Sequence, residues 1–179
     1  MKILAFAGSS NKNSINKRLA IYAAGLFPIR EIEILDLNEF ELPLFSVDTE
    51  AQIGKPEIAR AFLEKIAATD IIVLSLAEHN GAFSVAFKNI FDWASRQDKM
   101  VFGNKPMLLL STSPGNGGGR NVIEVAKISM TGYGADIRAV FSLPQFNDNF
   151  DLDQGIISNA DLDASLKEIV ANFDSVPSV

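Results

Sequence analysis

Ser9, Asn11, Ser14 and Asn16 crowd into one short stretch, Ala7-Gly8-Ser9-Ser10-Asn11-Lys12-Asn13-Ser14-Ile15-Asn16. It offers hydroxyl and amide donors and one lysine charge, with no carboxylate among them, a set that suits an anion. A second group, Ala77-Glu78-His79-Asn80-Gly81, joins a carboxylate to the single histidine of the chain. A third, Ser113-Pro114-Gly115-Asn116-Gly117-Gly118, is polar, rich in glycine and free of carboxylates. There is no cysteine, which excludes thiol nucleophiles, disulfides and thiolate metal sites. One histidine likewise excludes multi-histidine metal centres. His79 brings an imidazole, which can both donate and accept a hydrogen bond. Glu78 reads either as an acid/base group or as a carboxylate accepting backbone N–H bonds within its turn.

The elements around these groups explain why they would meet. The first stretch follows the apolar run Ile3-Leu4-Ala5-Phe6 and opens a helix whose apolar positions Ile15, Leu19, Tyr22, Ala23 and Leu26 keep helical spacing. Unpaired N–H groups at a helix start, at the positive end of its dipole, add to the side-chain donors. An ordinary N-cap at Ser14 with nothing bound uses the same residues. The segment lacks the Gly-Lys-Ser/Thr ending of a nucleoside-triphosphate loop, and only Gly8 of the three glycines of a dinucleotide fingerprint is present. A single phosphate group is the anion that remains.

Five expected strands, Lys2–Ala7, Glu31–Leu37, Asp70–Leu76, Pro106–Thr112 and Asp136–Leu143, alternate with helices expected near Ser14–Leu26, Pro56–Ala68, Ser84–Ser95, Gly118–Tyr133 and Asp161–Phe173. That alternation predicts an α/β fold, a parallel sheet between two helical layers. Strands one, three and four are nearly continuous apolar runs, as strands covered on both faces are. Strands two and five carry charges and suit the edges. The resulting order, 2-1-3-4-5, is that of the flavodoxin-like three-layer sandwich, with ligands outside the carboxyl ends of the central strands. The three polar groups all follow those strands. One elongated ligand, its phosphate at the first loop and a flat ring at the other two, accounts for all three.

The length of 179 residues suits one domain spanning 1–179. A hydrophobic fraction of 47% is that of an ordinary globular chain, and the net charge of −6 argues against nucleic acid as a partner. No signal-peptide pattern precedes the first strand and no apolar run reaches transmembrane length, so no membrane partner and a cytoplasmic location are expected.

With these motifs in place, the chain resembles the NADPH-dependent FMN reductase family, which includes quinone, chromate and azo-dye reductases. Gly8, Ser9, Ser14 and Asn16 fall in register with the first loop of that family. Glu78, Asn80, Lys88, Asn89, Asp92 and Trp93 match its second motif, and Ser113, Pro114, Gly115 and Gly118 its third. Leu42-Pro43-Leu44-Phe45 resembles a further family segment after strand two. Asn11 stands where the family has arginine, Ala77 where it has proline and His79 where it has tyrosine.

The resemblance implies FMN as resident cofactor, its phosphate held by Gly8, Ser9, Asn11, Ser14, Ile15 and Asn16. The ring would lie between Ala77, Glu78, His79, Asn80 and Gly81 on one side and Ser113, Pro114, Gly115 and Gly118 on the other. NAD(P)H would be the co-substrate and a small molecule, such as a quinone, azo compound, metal oxyanion or free flavin, the electron acceptor in a ping-pong cycle. No side chain is assigned as a catalytic acid or base, because the cofactor carries the chemistry. A flavodoxin-type electron carrier or an FMN-binding regulatory domain without turnover are the alternative functions. The helix Ser84–Ser95 carries Val85, Phe87, Ile90, Phe91 and Trp93, more apolar surface than one sheet-facing stripe requires. The excess is either deeper burial or a subunit contact; the resemblance implies a homodimer or homotetramer formed through this region, in which Phe87, Phe91 or Trp93 would face the neighbour.

Overall fold

The computed structural model describes residues 1–29 and 31–173; the part of the expected 1–179 domain that follows residue 173 lies outside the described residues. The chain runs β1 (Lys2–Gly8), α1 (Ile15–Gly25), β2 (Glu31–Leu35), a 3-10 turn (Leu37–Glu39), α2 (Val47–Ile53), α3 (Glu57–Ala67) and β3 (Ile71–Leu76). A small hairpin, β4 (Glu78–His79) and β5 (Ala82–Phe83), leads into α4 (Val85–Gln97), β6 (Lys105–Thr112) and α5 (Arg120–Met130). After a 3-10 turn (Thr131–Tyr133) come β7 (Ala135–Leu143), α6 (Phe146–Asn149), the short pair β8 (Phe150–Asp151) and β9 (Ile156–Ile157), and α7 (Ala160–Ala171).

The main sheet has the order β2-β1-β3-β6-β7 and every pairing in it is parallel. Counting only its five strands, this is the expected 2-1-3-4-5. Strand alternation sends each apolar run to both faces. Leu4, Phe6, Ile72 and Leu74 pack with Phe62 and Ile66 of α3 and Phe87 and Trp93 of α4. Ile3, Ala5, Ile71 and Val73 pack with Leu19 and Ala23 of α1 and Leu166 and Val170 of α7. The edges are the charged strands. Glu33 of β2 lies between Lys2 at 2.7 Å and Lys65 at 2.6 Å. On β7 the register jumps from Met107↔Ile137 to Leu108↔Ala139, so Arg138 bulges out, and its Nε donates to Asp136 at 3.1 Å.

Helix α4 corrects one expectation. Phe87 and Trp93 are fully buried and Phe91 nearly so, all inside their own chain. Phe91 packs edge-on against Tyr133 and tilted against Phe102. Trp93 donates from Nε1 to Pro43 O at 2.8 Å and meets the Phe45 ring edge-on. These aromatic residues fill the core beneath the segment around Leu42–Phe45, and only Val85 of the set is left exposed. Asn89 completes that clasp, donating to Leu42 O at 3.0 Å and Pro43 O at 3.1 Å and accepting from Phe45 N at 2.8 Å. The two sequence motifs Leu42-Pro43-Leu44-Phe45 and Lys88-Asn89…Trp93 are thus the two halves of one contact.

Candidate functional site

The loop after β1 is organised around its own backbone. Ser9 Oγ accepts from Asn11 N at 3.2 Å, Asn11 Oδ1 from Asn13 N at 2.8 Å, and Ser14 Oγ, the N-cap of α1, from Lys17 N at 3.2 Å. Each side chain therefore accepts locally, which leaves the Ser9 and Ser14 hydroxyl protons and the Asn11 amide NH₂ to donate. The N–H groups of Ile15 and Asn16, in the first turn of α1, have no intrahelical acceptor. Lys17 is committed elsewhere: its ammonium lies 2.6 Å from Asp36 and holds that carboxyl below the usual carboxylate range. Lys12 has no ion-pair partner among the described residues. Donors without acceptors, one free cation and no carboxylate make an anion cradle.

Asn16 and Gly8 also hold the framework together. The Asn16 side chain, buried at 3% exposure, donates to Thr112 O at 3.1 Å and accepts from Ser75 Oγ at 2.7 Å and Thr112 N at 3.0 Å. Its amide ties α1 to β3 and β6, and only its backbone N–H faces the cradle's needs. Gly8 is a packing position: a Cβ there would lie 2.8 Å from Leu76 and 3.3 Å from Phe87. Its carbonyl accepts from Ser84 Oγ at 2.7 Å.

The second loop is a hairpin, with Glu78 opposite Phe83 and His79 opposite Ala82. Asn80 and Gly81 turn it with φ of 52° and 76°, the two left-handed residues of the tightest hairpin turn. The Asn-Gly pair was the available sequence signal for this ribbon. Glu78 is an acceptor, but not within its own turn as expected: Oε2 accepts from Val122 N at 3.0 Å and Oε1 from Asn121 Nδ2 at 3.2 Å, both on α5. His79 is exposed at the tip.

The third loop is closed on itself by Ser113 Oγ donating to Gly115 O at 3.3 Å, and on the chain after β7 by Gln145 N donating to the same carbonyl at 3.0 Å. Its glycines divide in function. Gly118 lies against its own chain, where a Cβ would fall 2.4 Å from Ser142 Oγ, whereas Gly115 has open space around it.

A cavity of about 410 Å³ joins the three loops. Its floor at the first loop is Ser9, Asn11, Ser14, Ile15 and Asn16; its far wall is Ala77, Glu78 and His79; Ser113 and Pro114 close the side. Gly8, Asn80, Gly81, Gly115 and Gly118 are not among the lining residues; Asn80, Gly81 and Gly118 turn their loops at positive φ. Ser10 and Thr112 line it without having been singled out. Ser10 offers a hydroxyl like its neighbour Ser9, and Thr112 read simply as the end of a strand. Ser10 also borders an adjoining cavity of about 560 Å³ between Leu37–Leu44 and the start of α4.

A parallel sheet of this order, with polar loops gathered beside its switch point, is that of the flavodoxin-like class. Residues 1–148 match the family described as NADPH-dependent FMN reductase. The chain belongs to that family, whose members are NAD(P)H-dependent oxidoreductases that use FMN. It is 34% identical over 134 residues to an NADPH:quinone oxidoreductase of Arabidopsis thaliana, covering 73% of this chain and 67% of the relative. It is 37% identical over 117 residues to a 2-hydroxy-1,4-benzoquinone reductase of a Burkholderia species, covering 64% and 62%. The flavoenzyme NAD(P)H:(acceptor) oxidoreductase FerB of Paracoccus denitrificans shares the fold at a TM-score of 0.76 and 24% identity, over 98% of this chain and 96% of that one.

Proposed function

We propose that this protein takes hydride from NAD(P)H and passes electrons to a small, freely diffusing acceptor such as a quinone, by a ping-pong order at one site. The observation that carries the reading is the cradle itself, in which Ser9 and Asn11 accept from their own loop and Ser14 from the first turn of α1, and all three keep their donors for a ligand. FMN fits these residues. A dianionic phosphate finds hydroxyl, amide and helix N-terminal N–H donors with no carboxylate on that side, and the cavity continues to the loops after β3 and β6.

Bound FMN supplies the hydride acceptor and donor. Ser9, Asn11, Ser14 and the Ile15 and Asn16 N–H groups would hold its phosphate. The hairpin at Glu78–Gly81 and the loop at Ser113–Gly118 would confine the ring and exclude water from one side of it. His79, exposed at the hairpin tip, would stack on or hydrogen-bond to whatever lies there. A cytoplasmic location belongs to the same proposal. An assembly of two or four copies would use exposed Leu44, Val47 and Val85 rather than the buried aromatic residues of α4.

The test is an absorbance spectrum of the purified protein followed by anaerobic titration with NADH and NADPH. A flavin spectrum bleached by nicotinamide and restored by benzoquinone is expected. A protein that FMN cannot reconstitute, or one reduced only through a separate reductase, overturns the reading.

A further inference from the structure

Helix α5 begins at Gly119, a left-handed residue with φ of 78° and no side chain to cap with. No other residue fits there, since a Cβ would lie 1.8 Å from Ser111 Oγ. The first N–H groups of α5 must therefore find an acceptor from outside the helix. Glu78 provides it from the hairpin, through Val122 N and Asn121 Nδ2. A carboxylate at the positive end of a helix is favourably placed. The same residue lines the cavity beyond the phosphate cradle. The hairpin lies on that first turn of α5, with Gly81 against Asn121.

We propose that Glu78 is a positioning residue of the flavin site: its carboxylate fastens the His79-Asn80-Gly81 turn to α5 and keeps a negative charge at the ring end of the cavity, which holds the reduction potential of bound FMN down. This rests on the FMN reading above. Reduction adds negative charge to the ring, and a nearby carboxylate opposes that charge. With the carboxylate gone, the N-terminus of α5 is no longer compensated and favours the reduced ring. Both effects raise the potential.

Glu78→Gln and Glu78→Ala separate fastening from charge. Glutamine keeps a carbonyl oxygen for Val122 N and loses the charge; alanine loses both. The readouts are the FMN dissociation constant from quenching of flavin fluorescence, and the midpoint potential of bound FMN against reference dyes. The glutamine variant is expected to hold FMN more tightly than the alanine variant and to show a higher potential than the wild type. The alanine variant is expected to bind roughly five- to tenfold more weakly, the worth of one helix cap. A wild-type potential in Glu78→Gln, or a wild-type dissociation constant in Glu78→Ala, overturns the proposal while leaving the FMN reading intact. A wild-type protein that takes up no FMN overturns both.

Discussion

Ser14 and Asn16 are close in sequence and separate in consequence. Ser14 Oγ caps α1 and its proton is free, so Ser14→Ala is expected to weaken FMN binding about tenfold, the loss of one bond to a charged group. It should cost only about 1 kcal/mol of stability. Asn16→Ala instead strands Ser75 Oγ and both polar groups of the Thr112 backbone in the core, at roughly 1–3 kcal/mol for each group left unsatisfied. Urea unfolding without FMN should therefore rank Asn16→Ala well below Ser14→Ala in stability, and equal stabilities would contradict the clamp. The sequence made the donor chemistry of this loop legible because hydroxyls and amides without carboxylates narrow the ligand to an anion. It could not assign Asn16, because its partners lie on β3 and β6, remote in sequence. Only the packed sheet reveals that its amide is already committed.

Elements were legible where an apolar period marks them and obscure where it does not. Helix α2 buries none of its residues, so no stripe announced it. Its other marks were present: Ser46 accepts from Thr49 N at 3.0 Å as N-cap, and Gly54 follows with a φ of 72°. The pair β8–β9 is two residues on each side, too short for any period. Helix α4 was overread in the opposite sense, since a helix covered by the sheet, Phe45, Phe102 and Tyr133 is apolar on several sides without any second copy. Phe91→Asp should therefore unfold the chain rather than release a folded subunit. It forfeits roughly the 3–5 kcal/mol of emptying a buried Phe site, plus the cost of an unpaired buried charge. A folded, smaller species by light scattering, with an unchanged melting temperature, would restore the interface reading. Gly119→Ala tests the loop after β6: a left-handed alanine costs about 1–3 kcal/mol before its overlap with Ser111 is counted, which a thermal melt would register.

At the scale of the molecule, strand order was readable because burial on both faces leaves no room for charge within a strand: β1 and β6 carry a lysine only at their first residue, whereas β2 and β7 carry charges along their length. The charges also give the fold a pH dependence. Hydrogen bonds from Lys2 and Lys65 hold the Glu33 carboxyl below the usual carboxylate range. A depressed carboxylate contributes stability that is complete above its unfolded pKa, about 4.3, and disappears as pH falls through the folded value. Stability should thus decline on acidification below about pH 4, and Glu33→Gln should flatten that decline in urea titrations at stepped pH. The same margins bear on how copies of the chain can meet. At β7 the bulged Arg138 breaks the row of backbone donors and acceptors that an added strand would need. At β2 an incoming strand meets Glu31 and the Lys2–Glu33–Lys65 cluster along only five residues. Among the described residues both margins of the main sheet thus disfavour an added strand, so copies that associate are expected to meet through helices and loops.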